Sequence, residues 1–125
     1  NEIILNYSEK INEAFSSSTM SLVDKLANEM KLAWENKNTI YFCGNGGSAG
    51  NANHLANDFL YGAGVSNGIG LRVESLSANQ SVITCLGNDI GYENIYSEKL
   101  QQIDSCALYI LVDYKFRGSL SLDSY

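Results

Sequence analysis

Apolar residues recur along this chain with two different periods, and the change of period divides it. Over residues 2–15, Ile4, Tyr7, Ile11, Ala14 and Phe15 return at the spacing of one helix face. Ser16-Ser17-Ser18 breaks the pattern, and a second helix is predicted from about Thr19 to Glu35 with Leu22, Leu26, Met30, Ala33 and Trp34 as its stripe. Asn36-Lys37-Asn38 stops it. Thr39-Ile40-Tyr41-Phe42-Cys43 then reads as a continuous β-rich apolar run, the pattern of a buried parallel strand. Gly44 to Gly47 forms a tight loop, with Ser48 as the expected N-cap of a helix running to about Tyr61. Residues 62–70 hold glycines at 62, 64, 68 and 70 and predict a mobile loop. Leu71 to Leu76 reads as a second strand, Asn79 to Cys85 and Tyr92 to Gln102 as short helices, and Ala107 to Val112 as a third strand. Two helices followed by alternating strands and helices imply an α/β layer fold with a parallel sheet.

Composition narrows the partners. The chain has 125 residues, one domain at most, and its 45% hydrophobic and 18% charged content supports a packed core. A net charge of -6 sets nucleic acid aside as a partner. It leaves a phosphorylated small molecule open, because backbone N–H groups at a helix start bind phosphate without Lys or Arg. Cys43, Cys85 and Cys106 form no CxxC pair and no disulfide framework, and Cys43 and Cys85 are expected as reduced core residues. No stretch approaches the ~20 apolar residues of a membrane span, and no basic-then-apolar leader opens the chain. The expectation is a cytoplasmic protein with no membrane partner.

The candidate chemistry lies between the first strand and the next helix. In open α/β sheets ligands sit beyond the carboxyl ends of strands, near helix starts, and Gly44-Asn45-Gly46-Gly47-Ser48-Ala49 occupies that place. Its glycines allow close backbone approach, and the Ser48 hydroxyl with the following N–H groups suits an oxyanion or a sugar hydroxyl. A plain strand-to-helix turn needs fewer glycines. Gly44-x-Gly46-x-x-Ala49 also matches a dinucleotide fingerprint, with Glu74 at the end of the next strand as its acid, but the spacing is longer than that fingerprint expects. His54 and Asp58, four apart, share a helix face. Such a pair is ordinarily solvated surface; a ligand loop one turn away makes Asp58 a candidate base and His54 its assistant. The same two residues are the candidate metal ligands, with zinc as the candidate ion, although a His and one Asp are too few for a site by themselves. Leu86 to Tyr92 reads as turn chemistry, with Asp89 capping the next helix, and Asn79 follows the second strand on the ligand-binding edge.

Taken together, Cys43 to Ala49, Asn53-His54-Leu55-Ala56-Asn57-Asp58-Phe59, Ser77-Ala78-Asn79 and Gly87-Asn88-Asp89-Ile90-Gly91-Tyr92 resemble the phosphoheptose isomerase group of the SIS (sugar isomerase) family over roughly residues 1–102. The resemblance implies a flavodoxin-like parallel sheet flanked by helices, with an N-terminal helical pair. It also implies a homotetramer and aldose–ketose isomerisation of a phosphorylated sugar through an enediol. Residues 1–37 would be the N-terminal helices, 38–112 the α/β part and 113–125 an atypical tail. Carried onto this chain, the family's catalytic positions fall on His54 and Asp58, and Asn45, Gly46, Gly47, Ser48 and Asn79 would bind substrate. The family usually has Glu at the position of Asp58 and often Asp at that of Asn79. Its Ser/Thr-rich phosphate loop and second catalytic His have no counterpart after Val112, which implies an incomplete copy, C-terminally truncated or frameshifted. The alternative reading is a non-catalytic SIS module that binds a phosphosugar or a protein partner.

Overall fold

Ile40–Cys43 (β1), the apolar run before the glycine loop, is the central strand of a three-stranded parallel sheet. A computed structural model describes residues 1–103 and 107–112. In chain order the elements are α1 (Glu2–Ala14), α2 (Ser17–Glu35), β1, α3 (Gly47–Asn57) and a π-helical turn over Asp58–Gly62. After them come α4 (Ala63–Asn67), β2 (Val73–Ser75), α5 (Gln80–Asp89), a 3-10 turn over Tyr92–Asn94, α6 (Ile95–Gln101) and β3 (Leu108–Leu111). The strand order is β2-β1-β3, with Tyr41 opposite Glu74 on one side and Tyr109 on the other. The expected parallel sheet with flanking helices is therefore present.

The chain forms two compact units, Asn1–Leu32 and the part from Ala33 onward. In the first unit both predicted helices form. The break between them is shorter than expected because Ser16 caps α2, its Oγ accepting the Thr19 N–H at 3.4 Å. No residue of α1 is buried, and Ile4, Tyr7 and Ile11 of its predicted face are exposed.

In the second unit, α2 ends in a Schellman arrangement. The Asn38 N–H donates to the Ala33 carbonyl, the Lys37 N–H to the Trp34 carbonyl, and Lys37 takes a left-handed φ of 59°. The alternation along β1 then sends side chains to both faces of the sheet, as a doubly covered strand requires. Phe42 is buried and stacks on Phe59, ring centroids 6.0 Å apart. Cys43 joins Leu76, Ile95, Tyr96 and Leu100 in a buried cluster, with Tyr41 and Tyr109 packed against it.

Several expectations are corrected. The mobile loop over 62–70 is helical as far as Asn67. The π turn and α4 continue α3, and the Leu71 N–H bonds back to the Phe59 carbonyl at 3.0 Å, so tertiary pairing overrides the glycine content. Gly87, Asn88 and Asp89 are the last residues of α5 and not a turn, and Asp89 caps nothing; Asn94 is the residue before α6. Cys43 is buried as expected, whereas Cys85 is exposed. Cys106 and the tail 113–125 lie outside the described residues.

Candidate functional site

The chain leaves the sheet at Gly44, which is buried. A Cβ there would stand 2.7 Å from the Ser48 backbone and from the Val112 carbonyl oxygen, so only glycine lets the start of α3 and the end of β3 close on the loop. Gly46 takes φ 55° and is the N-cap of α3. This corrects the placement of Ser48, which is the second residue of the helix, its N–H bonded to the Asn45 carbonyl at 3.0 Å. A positive φ at the cap favours glycine over serine, which explains the difference. Among the described residues, the N–H groups of Gly46 and Gly47 have no protein acceptor. With the positive end of the α3 dipole behind them, they suit an anion.

Three hydroxyl side chains that sequence reasoning did not place in the site hold this loop. Ser77 Oγ accepts the Gly44 N–H at 3.1 Å and donates to the Gly44 carbonyl at 2.8 Å. Tyr96 is within hydrogen-bond reach of the same carbonyl and stands 2.9 Å from Ser77 Oγ. Burial pushes the Tyr96 phenol above its ordinary pKa, with the hydrogen bond from Ser77 opposing it. Tyr92 donates to Asn45 Oδ1 at 2.8 Å, which leaves the Asn45 amide NH2 as the group that side chain offers a ligand. Ser77 and Tyr92 lie inside motifs visible in the sequence, but nothing in those motifs states which backbone atoms they reach.

His54 and Asp58 come together as their spacing predicts. His54 Nε2 lies 3.3 Å from Asp58 Oδ2, with side chains 76% and 53% exposed. Asp58 opens the π turn, a geometry frequent at functional sites. Asn79 caps α5, its Oδ1 accepting the Val82 N–H at 3.1 Å, so its amide NH2 is what it has left for a sugar. At the end of α5, the Asn88 amide donates to Asp89 Oδ1 at 2.9 Å. That bond, with the Cys85 thiol as a second donor, holds the Asp89 carboxyl below its usual range, and the hydrogen bond to Asp89 and its negative charge raise the Cys85 thiol.

Among the described residues no group of three or more His, Cys, Asp or Glu comes together, so His54 and Asp58 would supply two of the ligands that a zinc ion takes. The acid of the dinucleotide fingerprint is misplaced. Glu74 stands mid-strand in β2 and lines a cavity of about 320 Å³ with Lys99, which burial holds below its usual pKa against the opposing pull of Glu74.

The chain is similar to known proteins in both sequence and fold. The chain is 35% identical over 82 residues to a phosphoheptose isomerase of Aneurinibacillus thermoaerophilus, covering 66% of this chain and 41% of that one. It is 33% identical over 104 residues to a phosphoheptose isomerase of Solidesulfovibrio magneticus, covering 81% and 50%. Among solved structures, phosphoheptose isomerase from Neisseria gonorrhoeae superposes with a TM-score of 0.69 at 26% identity, over 88% of this chain and 58% of that one. The chain thus spans about half the length of the curated relatives it matches. Residues 5–111 match the SIS domain, most of the described sequence and the whole of the glycine-loop site, so the chain belongs to the SIS domain family.

Proposed function

We propose that this chain is part of a sugar-phosphate isomerase of the phosphoheptose kind, with the glycine loop as its phosphosugar site. The observation that carries the proposal is the turn from β1 into α3. There the Gly46 and Gly47 N–H groups have no protein acceptor, and Tyr92 leaves the neighbouring Asn45 amide NH2 available. Ser48 and Asn79 add polar groups next to this loop and at the end of the next strand. The phosphoheptose isomerases it resembles supply the substrate class.

Within this reading Asp58 is the general base that moves a proton between adjacent sugar carbons through an enediol, and His54, 3.3 Å away, orients it. Asp reaches about one methylene less than Glu, so the sugar must sit closer to α3. The exposed apolar face of α1 supports a homo-oligomer, a tetramer by family resemblance, and the family resemblance supports a cytoplasmic location. Among the described residues no helix is long and apolar enough to cross a membrane.

The test is conversion of sedoheptulose 7-phosphate to its aldose isomers, followed by NMR. Turnover that falls about a hundredfold in Asp58→Asn is the expected outcome, the scale of a lost general base. Saturable binding without any interconversion would instead identify a non-catalytic phosphosugar module. Turnover unchanged in Asp58→Asn would remove that residue from the chemistry.

A further inference from the structure

The peptide that joins Gly44 to Asn45 is gripped more tightly than a turn needs. Ser77 Oγ holds both the N–H and the carbonyl of Gly44, at 3.1 and 2.8 Å, from 33 residues away in the chain. The Tyr96 hydroxyl reaches the same carbonyl and stands 2.9 Å from Ser77 Oγ. Three oxygens thus face one another and share two hydroxyl protons. With the Gly44 carbonyl pointing at this pair, both hydroxyls have an acceptor within reach.

A trans peptide sets its carbonyl and its N–H on opposite sides. A Gly44 carbonyl turned toward Ser77 and Tyr96 therefore turns the Asn45 N–H away from them. The Asn45, Gly46 and Gly47 N–H groups have no protein acceptor among the described residues. Loss of the grip would let the Gly44–Asn45 peptide rotate and present a carbonyl oxygen where a phosphorylated ligand needs a donor.

We propose that Ser77 and Tyr96 are the positioning residues of the glycine loop, fixing the peptide orientation that lets the loop accept an anionic sugar. The proposal rests on the reading of that loop as the phosphosugar site. Neither residue touches the ligand; each acts through the Gly44 carbonyl. Tyr92 does the same for the Asn45 side chain from the neighbouring turn.

The test uses the full chain and titrates sedoheptulose 7-phosphate by calorimetry, with amide NMR spectra of Asn45, Gly46 and Gly47 recorded before ligand is added. Ser77→Ala combined with Tyr96→Phe is expected to weaken binding about tenfold, equivalent to about 1.4 kcal/mol, and to move all three amide resonances. Ser77→Thr, which keeps the hydroxyl, should restore affinity in the Ser77 background. Ser97→Ala is the control for stability alone. Ser97 is also buried, but among the described residues its Oγ bonds to the Asn94 carbonyl alone, at 3.0 Å, and its removal should leave affinity unchanged. Should the double variant not fold, Tyr96→Phe, which keeps the ring, carries the test. Wild-type affinity and unmoved amide resonances in a folded Tyr96→Phe, Ser77→Ala protein would overturn the proposal. A wild-type chain that binds no sugar phosphate would refute the site reading instead, and the ligand-free amide spectra would still decide whether the pair orients the loop.

Discussion

The two units of this chain cover their apolar residues to different extents, Met30 being a buried member of the first. In Asn1–Leu32 the periodic residues Ile4, Tyr7, Ile11 and Leu22 are exposed, and α1 buries nothing. From Ala33 onward the apolar residues close a core in which Ile40 and Phe42 lose nearly all contact with water. The same kind of sequence signal therefore has two outcomes. Periodicity specifies a helix and its apolar face, but it does not say what covers that face. In the second unit the sheet supplies the cover. In the first, the apolar face of α1 stays exposed, which is where the proposed oligomer would find its contact.

The largest expected effect that sharpens this contrast comes from the core. Phe42→Ala should destabilise the second unit by about 3–5 kcal/mol, the usual cost of emptying a buried aromatic site. Leu22→Ala in the first unit should change monomer stability by only about 0.5 kcal/mol or less, because Leu22 is 64% exposed. Chemical denaturation at low protein concentration measures both, and equal effects would erase the distinction. Next in size is assembly. Ile4→Ser together with Ile11→Ser should shift light-scattering mass toward the monomer at high concentration while helix content by circular dichroism holds. An unchanged mass would remove α1 from the association surface.

A smaller effect concerns the loop's anchor. Burial raises the Tyr96 pKa above its ordinary 10.0, so the folded state favours the neutral phenol. The stability this contributes is fully present below pH 10 and is lost as pH rises through the folded-state value. Lys99, whose pKa is lowered by burial, titrates in the opposite sense nearby, so the difference between wild type and Tyr96→Phe is the quantity to measure. That difference should be of order 1 kcal/mol at pH 8 and should move against the wild type as pH climbs past 10. A difference independent of pH would mean that Tyr96 is not held neutral in the folded state.

Much of this was legible in the sequence, because most of it depends on local chemistry. The apolar run of β1, the glycines after it and the i, i+4 pair His54 and Asp58 each dictate their own geometry. What was not legible depends on distant partners. Glycines 62 and 64 read as a loop, yet Phe59 stacks on Phe42 and its carbonyl holds Leu71, which keeps the segment helical. Ser77 and Tyr96 read as ordinary residues, because their partner Gly44 lies 33 and 52 positions away. Ser48 looked like a cap because serine usually is one, while the turn itself required the positive φ of Gly46.

The central claim is that the turn from β1 into α3 binds a phosphorylated sugar through its backbone. Gly46→Val tests it most directly. A Cβ at Gly46 meets no neighbouring atom, so the substitution strains the positive φ and crowds the ligand's approach while leaving the core untouched. Calorimetric titration with sedoheptulose 7-phosphate should show binding to the wild type and none to Gly46→Val, with the circular dichroism of the two proteins alike. Equal affinities for the two proteins would contradict the account and place the ligand elsewhere.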